Sequence, residues 1–242
     1  MTTNIIYQKS RSGCRDIWNA FMVKNASFST NDIPLCPTTT TTIPTKLITY
    51  DDAHAIYNSA MKSGDTNFYV DAFVCWYIDD YKFDNSEGIW QRPYKAQKVL
   101  EHFAGIITPD FSVCQDFPIP LKMYNTYRMR AFGYWYGSFP NHQVINNVRW
   151  NTQESYSYCF DGLPANSIIC IGTVASNLSD NYNKLIFEEG LAELVKRLSP
   201  HTILVYGSSK YKCFDILRER GINIVSFPSK TFLAYKGGVR NV

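Results

Sequence analysis

Six short runs of apolar residues recur along this chain, and each run ends in polar or small residues. The runs cover residues 70–80, 104–112, 144–150, 167–176, 202–209 and 222–230. They are rich in Val, Ile, Tyr and Phe without clean alternation, which is typical of strands buried on both faces. Strands of this kind belong to parallel sheets that are covered by helices. The runs therefore predict an α/β fold.

Helical patterns between the runs indicate the architecture. A further weak strand is predicted at residues 46–49, and residues 183–198 form the clearest amphipathic helix. Alternating strands and helices imply right-handed crossovers and one parallel sheet of about six to seven βα units. We predict a small or incomplete (β/α) barrel. An open doubly wound sheet is the alternative, because periodicity alone does not separate the two.

The chain divides into three predicted parts. Residues 1–45 are expected to form an N-terminal arm with one short helix, because residues 33–44 contain three prolines and a run of five threonines. Such an arm would pack along the outside of a barrel or over its base, and a partner-binding segment is the alternative. Residues 46–236 are predicted to form a single α/β domain, and residues 237–242 a tail.

The composition of the chain argues against several kinds of binding partner. A formal net charge of +3, without any run of Lys and Arg, argues against nucleic acid. The seven cysteines form no C-x-x-C pair, which indicates a reducing compartment rather than disulfides or a structural zinc site. No stretch approaches the ~18 apolar residues of a membrane span, so no membrane partner is expected. The prediction is a cytoplasmic protein.

Acidic residues follow the first two strong strands, at Asp79, Asp80 and Asp110. In parallel sheets, ligands bind outside the carboxyl ends of the strands, and the polar tails of neighbouring strands meet there. Asp79 or Asp80 would then form an acid/base pair with Asp110, or half of a Mg²⁺ site. The alternative is structural, with the acids capping loops or pairing with Arg149. Asp79 and Asp110 are the candidate catalytic residues.

The later strands supply candidate ligand-binding residues. Asn147 and Arg149 share one side of their strand, and Arg149 would either hold a ligand's anion or only neutralise Asp110. Trp150, or Trp76 on an earlier strand, would stack on the ligand. The run that contains Tyr206 and Ser208 would hold a phosphate on backbone N–H groups, with a plain strand-to-helix turn as the alternative.

Arg128 is the last candidate ligand-binding residue. It falls on the otherwise apolar face of a predicted helix, where an unpaired charge is costly. The side chain is expected to reach solvent, to meet a carboxylate such as Asp116 or Asp110, or to point into a cavity.

Six blocks of sequence carry a resemblance to a known family. They are IDDYKF (78–83), GIITPDFSVCQDFP (105–118), YNTYRMR (124–130), NVRW (147–150), CFDGLPANSII (159–169) and ILVYGS (203–208). In this order they resemble domain-of-unknown-function family 4417, common in phages, plasmids and integrated elements. The resemblance implies a phage or mobile-element accessory protein that handles a nucleotide-like ligand or counters host defence. It supplies no catalytic residues and no cofactor.

Three functional hypotheses follow. The first is a module that binds a small anionic, nucleotide-derived ligand through the residues named above. The second is a hydrolase or lyase that acts on such a nucleotide through Asp79 and Asp110, with Mg²⁺ as its candidate cofactor. The third is an inhibitor that binds a host defence protein through its aromatic surface and the N-terminal arm.

Overall fold

The computed structural model describes residues 13–239, and within them seven strands and six helices alternate. The strands are β1 (Leu47–Thr49), β2 (Val70–Cys75), β3 (Phe103–Ile107), β4 (Val144–Asn147), β5 (Ile168–Gly172), β6 (Thr202–Tyr206) and β7 (Asn223–Phe227). The helices are α1 (Tyr50–Ser63), α2 (Pro93–Leu100), α3 (Ile119–Gly137), α4 (Asn181–Leu198), α5 (Lys212–Glu219) and α6 (Lys230–Val239). Between β4 and β5 the connection contains a 3₁₀ turn, Gln153–Ser157. Each strand begins within one residue of the position that the sequence predicts.

All seven strands are parallel, and they follow one another across the sheet in chain order. The sheet curls into a half-barrel, which confirms the predicted incomplete (β/α) barrel. A doubly wound sheet is excluded, because in that fold the strand order reverses at a switch point. Right-handed crossovers in a sheet of sequential order place every helix on the same face.

The two faces of the sheet have different neighbours. Two hydrophobic clusters join strand residues to helix residues and bury the convex face under the helices. A third cluster is built almost entirely from strand side chains, among them Phe73, Ile107, Ile145 and Leu204. These residues fill the concave side of the curl. The interior is therefore packed, and the carboxyl ends of the strands form its accessible rim.

The arm crosses the opposite, amino-terminal edge of the sheet. The Thr39 N–H donates to the Val144 carbonyl oxygen at 3.0 Å, and the Thr45 hydroxyl donates to the Asp71 carbonyl oxygen at 2.9 Å. Further along the edge, the Thr38 hydroxyl donates to the Ile168 carbonyl oxygen at 3.3 Å. Residues 38–45 of the arm thus cover the base of the half-barrel, whereas Ile17 and Trp18 contact helix α3 through the Tyr124 and Tyr127 hydroxyls. Residues 1–12 of the predicted arm and residues 240–242 of the predicted tail lie outside the described residues.

None of the helices between residues 13 and 239 has the length and apolar character needed to cross a membrane.

Candidate functional site

A buried ion pair lies at the rim, where β3 and β4 end side by side. The Asp110 carboxylate accepts hydrogen bonds from Arg149 Nη1 at 2.6 Å and from Asn147 Nδ2 at 2.7 Å. Asp110 exposes only 5% of its side chain, whereas Arg149 exposes 31%. The parallel register brings the two strand ends to the same height, so residues 39 positions apart in sequence become partners. The pair therefore has an acid on the inside and a guanidinium on the outside.

A second layer of polar side chains supports this pair from the concave side. The Tyr77 hydroxyl donates to Asn147 Oδ1 at 2.9 Å and lies 3.1 Å from Cys170 Sγ. The Tyr77 ring stacks on that of Tyr206, with ring centroids 4.8 Å apart. Asn147 therefore links Tyr77 to Asp110. Tyr77 was not among the residues singled out from the sequence, although it continues the inward-facing positions Phe73 and Cys75 with a period of two.

Burial sets the electrostatics of the cluster. Desolvation raises the pKa of Asp110 above its ordinary value, and the attraction of Arg149 only partly opposes the rise. Asp110 in turn raises the pKa of Arg149, which stays charged. Burial also raises the pKa of the Cys170 thiol to about 12, so this thiol is not an activated nucleophile. The cluster is suited to holding charge in a fixed place rather than to nucleophilic attack.

The two sheet edges approach each other at the rim. Lys230, which follows β7, contacts Asp51 at 3.1 Å and Asp52 at 2.6 Å, and both acids follow β1. Lys82 also reaches Asp51, at 3.5 Å. These contacts neutralise most of the acidic charge after β1. Arg149 is paired instead with an acid in the interior.

Asp79 does not join Asp110 in this structure. Its side chain is 68% exposed, and among the described residues its ion pair is with Lys82 at 3.9 Å. The adjacent Asp80 faces the β3 loop instead, where its carboxylate accepts from the Ser112 N–H at 3.0 Å and the Ser112 hydroxyl at 2.9 Å. Asp79 directly precedes the 3₁₀ turn Asp80–Lys82, and the start of this turn directs the two neighbouring side chains to different sides.

The two candidate tryptophans pack on the convex side of the sheet. Trp150 lies against Phe187, with ring centroids 5.2 Å apart, and a Cβ at Gly190 would overlap its ring. Trp76 is fully buried and stacks on Tyr50. The prediction that Trp76 stacks on a ligand is wrong, because the ring has no accessible face.

The residues after β6 form a strand-to-helix turn, and several of its backbone and hydroxyl groups already have hydrogen-bond partners within the protein. The Gly207 N–H donates to the Phe227 carbonyl oxygen at 2.8 Å. The Ser208 carbonyl oxygen accepts from the Thr173 hydroxyl at 3.1 Å, and the Ser208 hydroxyl accepts from the Lys210 N–H at 3.3 Å. Tyr206 is buried, and its hydroxyl accepts from the Lys230 N–H at 3.0 Å. These contacts are those of a structural turn.

Arg128 meets a carboxylate, but neither of those expected. Its Nη1 donates to both Asp84 carboxylate oxygens at 2.8 Å, and Nη2 donates to Asn125 Oδ1 at 2.7 Å. The guanidinium also lies over the Phe111 ring, 3.9 Å from its centroid. Asp116 and Asp110 are therefore not its partners. Asp84 comes from the long β2–α2 loop, which carries no regular pattern that would reveal it in the sequence.

We expect Arg128→Met to lower the free energy of unfolding by about 3 kcal/mol, because Asp84 would lose its cation in a largely buried place. The measurement is a denaturant unfolding curve. Lys98→Met removes an exposed cation from α2, and it should cost less than about 0.5 kcal/mol. Equal midpoints for Arg128→Met and the wild type would contradict a structural role for this pair.

Arg130 is a fully buried charge that supports the site from behind. Its guanidinium donates to three carbonyl oxygens, those of Asp161 at 3.1 Å, Asn147 at 3.0 Å and Cys159 at 3.1 Å. Burial lowers the pKa of Arg130 to about 10, so it remains protonated at neutral pH. It fixes the backbone of Asn147, whose side chain orients Asp110. The sequence placed Arg130 on a helix, but no pattern marked it as buried.

Within residues 13–239, no group of three or more His, Cys, Asp or Glu side chains is arranged to hold a metal ion. Asp110, the best placed acid, already has Arg149 and Asn147 as its partners.

The fold and the rim together define a class: an α/β half-barrel with a buried Asp–Arg pair at the carboxyl ends of its strands. The family described as "Domain of unknown function (DUF4417)" matches residues 26–228. This match covers most of the chain, so the protein belongs to that family, as the resemblance in the sequence indicated. No solved structure matches the chain.

Two phage proteins are similar to the chain. The Gene 1 protein of Mycobacterium phage D29 is 29% identical over 217 residues, which cover 89% of this chain and 74% of the phage protein. The Gene 1 protein of Mycobacterium phage L5 is 30% identical over 142 residues, or 58% of this chain and 59% of the phage protein. The protein is thus a phage-associated member of its family.

Proposed function

We propose that this protein binds a small anionic, nucleotide-derived ligand at the rim, with Arg149 as the residue that holds the anion. The supporting observation is the geometry of Arg149. One of its N–H groups bonds Asp110 at 2.6 Å, and its remaining N–H groups have no hydrogen-bond partner among the described residues. A guanidinium that is held on one side by Asp110 can present its other N–H donors to a phosphate or carboxylate.

The supporting residues keep that guanidinium in place before a ligand arrives. Asn147 holds Asp110, Tyr77 holds Asn147, and Arg130 holds the backbone of Asn147. Such preorganisation lowers the entropy cost of binding, because few side chains need to be ordered afterwards.

The phage relatives suggest a biological context for such a ligand. A phage protein that sequesters a host signalling nucleotide would counter host defence without turnover. The hydrolase alternative needs two carboxylates acting together. Asp79 is exposed, and the Asp80 carboxylate is already bonded by the Ser112 N–H and hydroxyl, so neither acid is free to act with Asp110. The experiment also distinguishes a third alternative, in which the protein binds a host defence protein.

The experiment compares the wild type with the double variant Asp110→Asn/Arg149→Gln, which removes both charges of the pair together. Calorimetric titration uses a panel of mononucleotides and cyclic dinucleotides, followed by chromatography of the recovered nucleotide. We expect one of them to bind with unit stoichiometry and return intact. The double variant should bind it at least roughly tenfold more weakly, because a charge-assisted contact is lost.

Arg220→Gln is the matched control, since Arg220 is exposed at the end of α5 and should leave binding unchanged. Unchanged affinity in the double variant would overturn the assignment of Arg149. Conversion of the nucleotide would favour the hydrolase, whereas a stable complex with a host protein and no nucleotide binding would favour the inhibitor.

A further inference from the structure

A polar cavity lies beside the long β2–α2 loop, apart from the Asp110–Arg149 pair. Its volume is about 540 Å³, and its lining residues are Arg15, Asp84, Asn85, Ser86, Gln91 and Arg92. Every one of them carries a side chain that can form hydrogen bonds. Two of them are arginines that come from separate parts of the chain, and the cavity brings them to one place.

Hydrogen bonds to Trp90 hold the two sides of the cavity together. The Ile17 carbonyl oxygen accepts from Trp90 Nε1 at 3.1 Å and from the Tyr124 hydroxyl at 2.6 Å. In the other direction, Asn19 Nδ2 donates to the Trp90 carbonyl oxygen at 2.8 Å. Arg15 lies two residues before Ile17 in the chain. Its segment is therefore fastened to the loop that carries the second arginine.

The charges of this cavity do not cancel. The Asp84 carboxylate is neutralised by Arg128, with both of its oxygens at 2.8 Å from the guanidinium. Arg15 has no ion pair with any described residue. Arg92 lies 3.5 Å from Glu87, which makes its shorter ion pair with Lys95 at 2.5 Å. The lining is therefore left with an excess of positive charge.

Asp16, the acid next to Arg15 in the chain, already has a hydrogen-bond partner. Both carboxylate oxygens of Asp16 accept from the Ala20 N–H, at 2.9 and 3.1 Å, and so cap the 3₁₀ turn that begins there. Asp16 is not among the lining residues of the cavity.

We propose that this cavity is a binding site for a phosphate group, such as that of a phosphate monoester. Two guanidinium groups match the oxygens of a phosphate, because each can donate two parallel hydrogen bonds. Ser86 and Gln91 add neutral donors at the same place. The proposal does not rest on the function proposed for the rim, since the two sites share none of these residues.

The test is the binding of inorganic phosphate, measured by calorimetry at constant ionic strength. We expect Arg15→Gln/Arg92→Gln to weaken binding at least roughly tenfold, because two charge-assisted contacts are lost together. Arg220→Gln removes one exposed arginine elsewhere and should bind phosphate like the wild type. Both arginines of the cavity are exposed, so unchanged melting temperatures should accompany the double variant.

The rim variant Asp110→Asn/Arg149→Gln separates the two sites. We expect it to keep full affinity for inorganic phosphate. Loss of phosphate binding in the rim variant, with wild-type binding in Arg15→Gln/Arg92→Gln, would overturn this proposal and place phosphate at the rim. An equal loss in Arg220→Gln would also overturn it, because the attraction would then come from net charge alone.

Discussion

Replacing Arg130 with methionine should lower the free energy of unfolding by about 3–5 kcal/mol, because two buried carbonyl oxygens and a third, partly buried one would lose their donor. The carbonyl groups belong to Asp161, Asn147 and Cys159, and no solvent reaches the guanidinium that joins them. Methionine fills much of the volume but donates no hydrogen bond. The measurement is the midpoint and slope of a denaturant unfolding curve.

Two further variants make this result interpretable. Arg130→Lys keeps the charge and part of the hydrogen bonding, so its loss of stability should lie between those of the wild type and Arg130→Met. Arg220→Met alters an exposed arginine and should change stability by less than about 0.5 kcal/mol. If Arg130→Met were as stable as Arg220→Met, the three carbonyl groups would need no buried cation, and the role assigned to Arg130 would be wrong.

Removing Arg149 should be far more damaging than removing Asp110, although the two form one ion pair. Arg149→Gln leaves a buried carboxylate without its cation, which we expect to cost about 3–5 kcal/mol at neutral pH. Asp110→Asn leaves a guanidinium that is already 31% exposed and can be hydrated. Its cost should stay below about 1 kcal/mol, because the burial cost of the Asp110 charge disappears together with the pair.

The pH dependence of Arg149→Gln follows from the same argument. Burial already raises the pKa of Asp110, and loss of the guanidinium raises it further above the unfolded value of about 3.9. A carboxyl group whose pKa rises on folding stabilises the protein fully below the unfolded value, and this stability is lost as the pH rises through the folded pKa. The deficit of Arg149→Gln should therefore be smallest near about pH 4 and grow toward neutral pH.

The double variant Asp110→Asn/Arg149→Gln completes a mutant cycle, measured by denaturant unfolding at several pH values. It should recover most of the stability that Arg149→Gln loses, because no buried charge remains. Equal losses in both single variants at every pH would contradict the asymmetric burial of the pair. The same double variant is the one used to test ligand binding, so stability and function are measured on one protein.

The sheet could be predicted from the sequence because burial on both faces leaves a direct mark on composition. Five of the six apolar runs contain a whole strand, the run at 104–112 contains all of β3 except Phe103, and the weak segment at 46–49 contains β1. The carboxyl ends of parallel strands must lie at the same edge, so the sequence could also predict that Asp110 and Arg149 lie close together. It left two alternatives for Arg149, which would either neutralise Asp110 or hold the anion of a ligand. The structure shows them paired, with Arg149 Nη1 2.6 Å from the Asp110 carboxylate.

Several partners could not be predicted, because they come from segments without a regular pattern. Asp84, which pairs with Arg128, lies in the β2–α2 loop, and the carbonyl groups that bind Arg130 lie largely in the β4–β5 connection. The choice between Asp79 and Asp80 depends on how the chain turns after β2, since a shift of one residue exchanges the inward and outward sides. Composition and periodicity carry no information on that turn.

The sequence by itself determined the parallel α/β class, the positions of the strands and the edge at which their polar ends meet, because these depend on local burial and chain direction. Only the tertiary structure decided that the sheet curls into a half-barrel with its strands in chain order. It also decided which acid faces inward, which arginines are buried and where each finds its partner. Those features depend on contacts between residues far apart in the chain, and such contacts leave no periodic trace in the sequence.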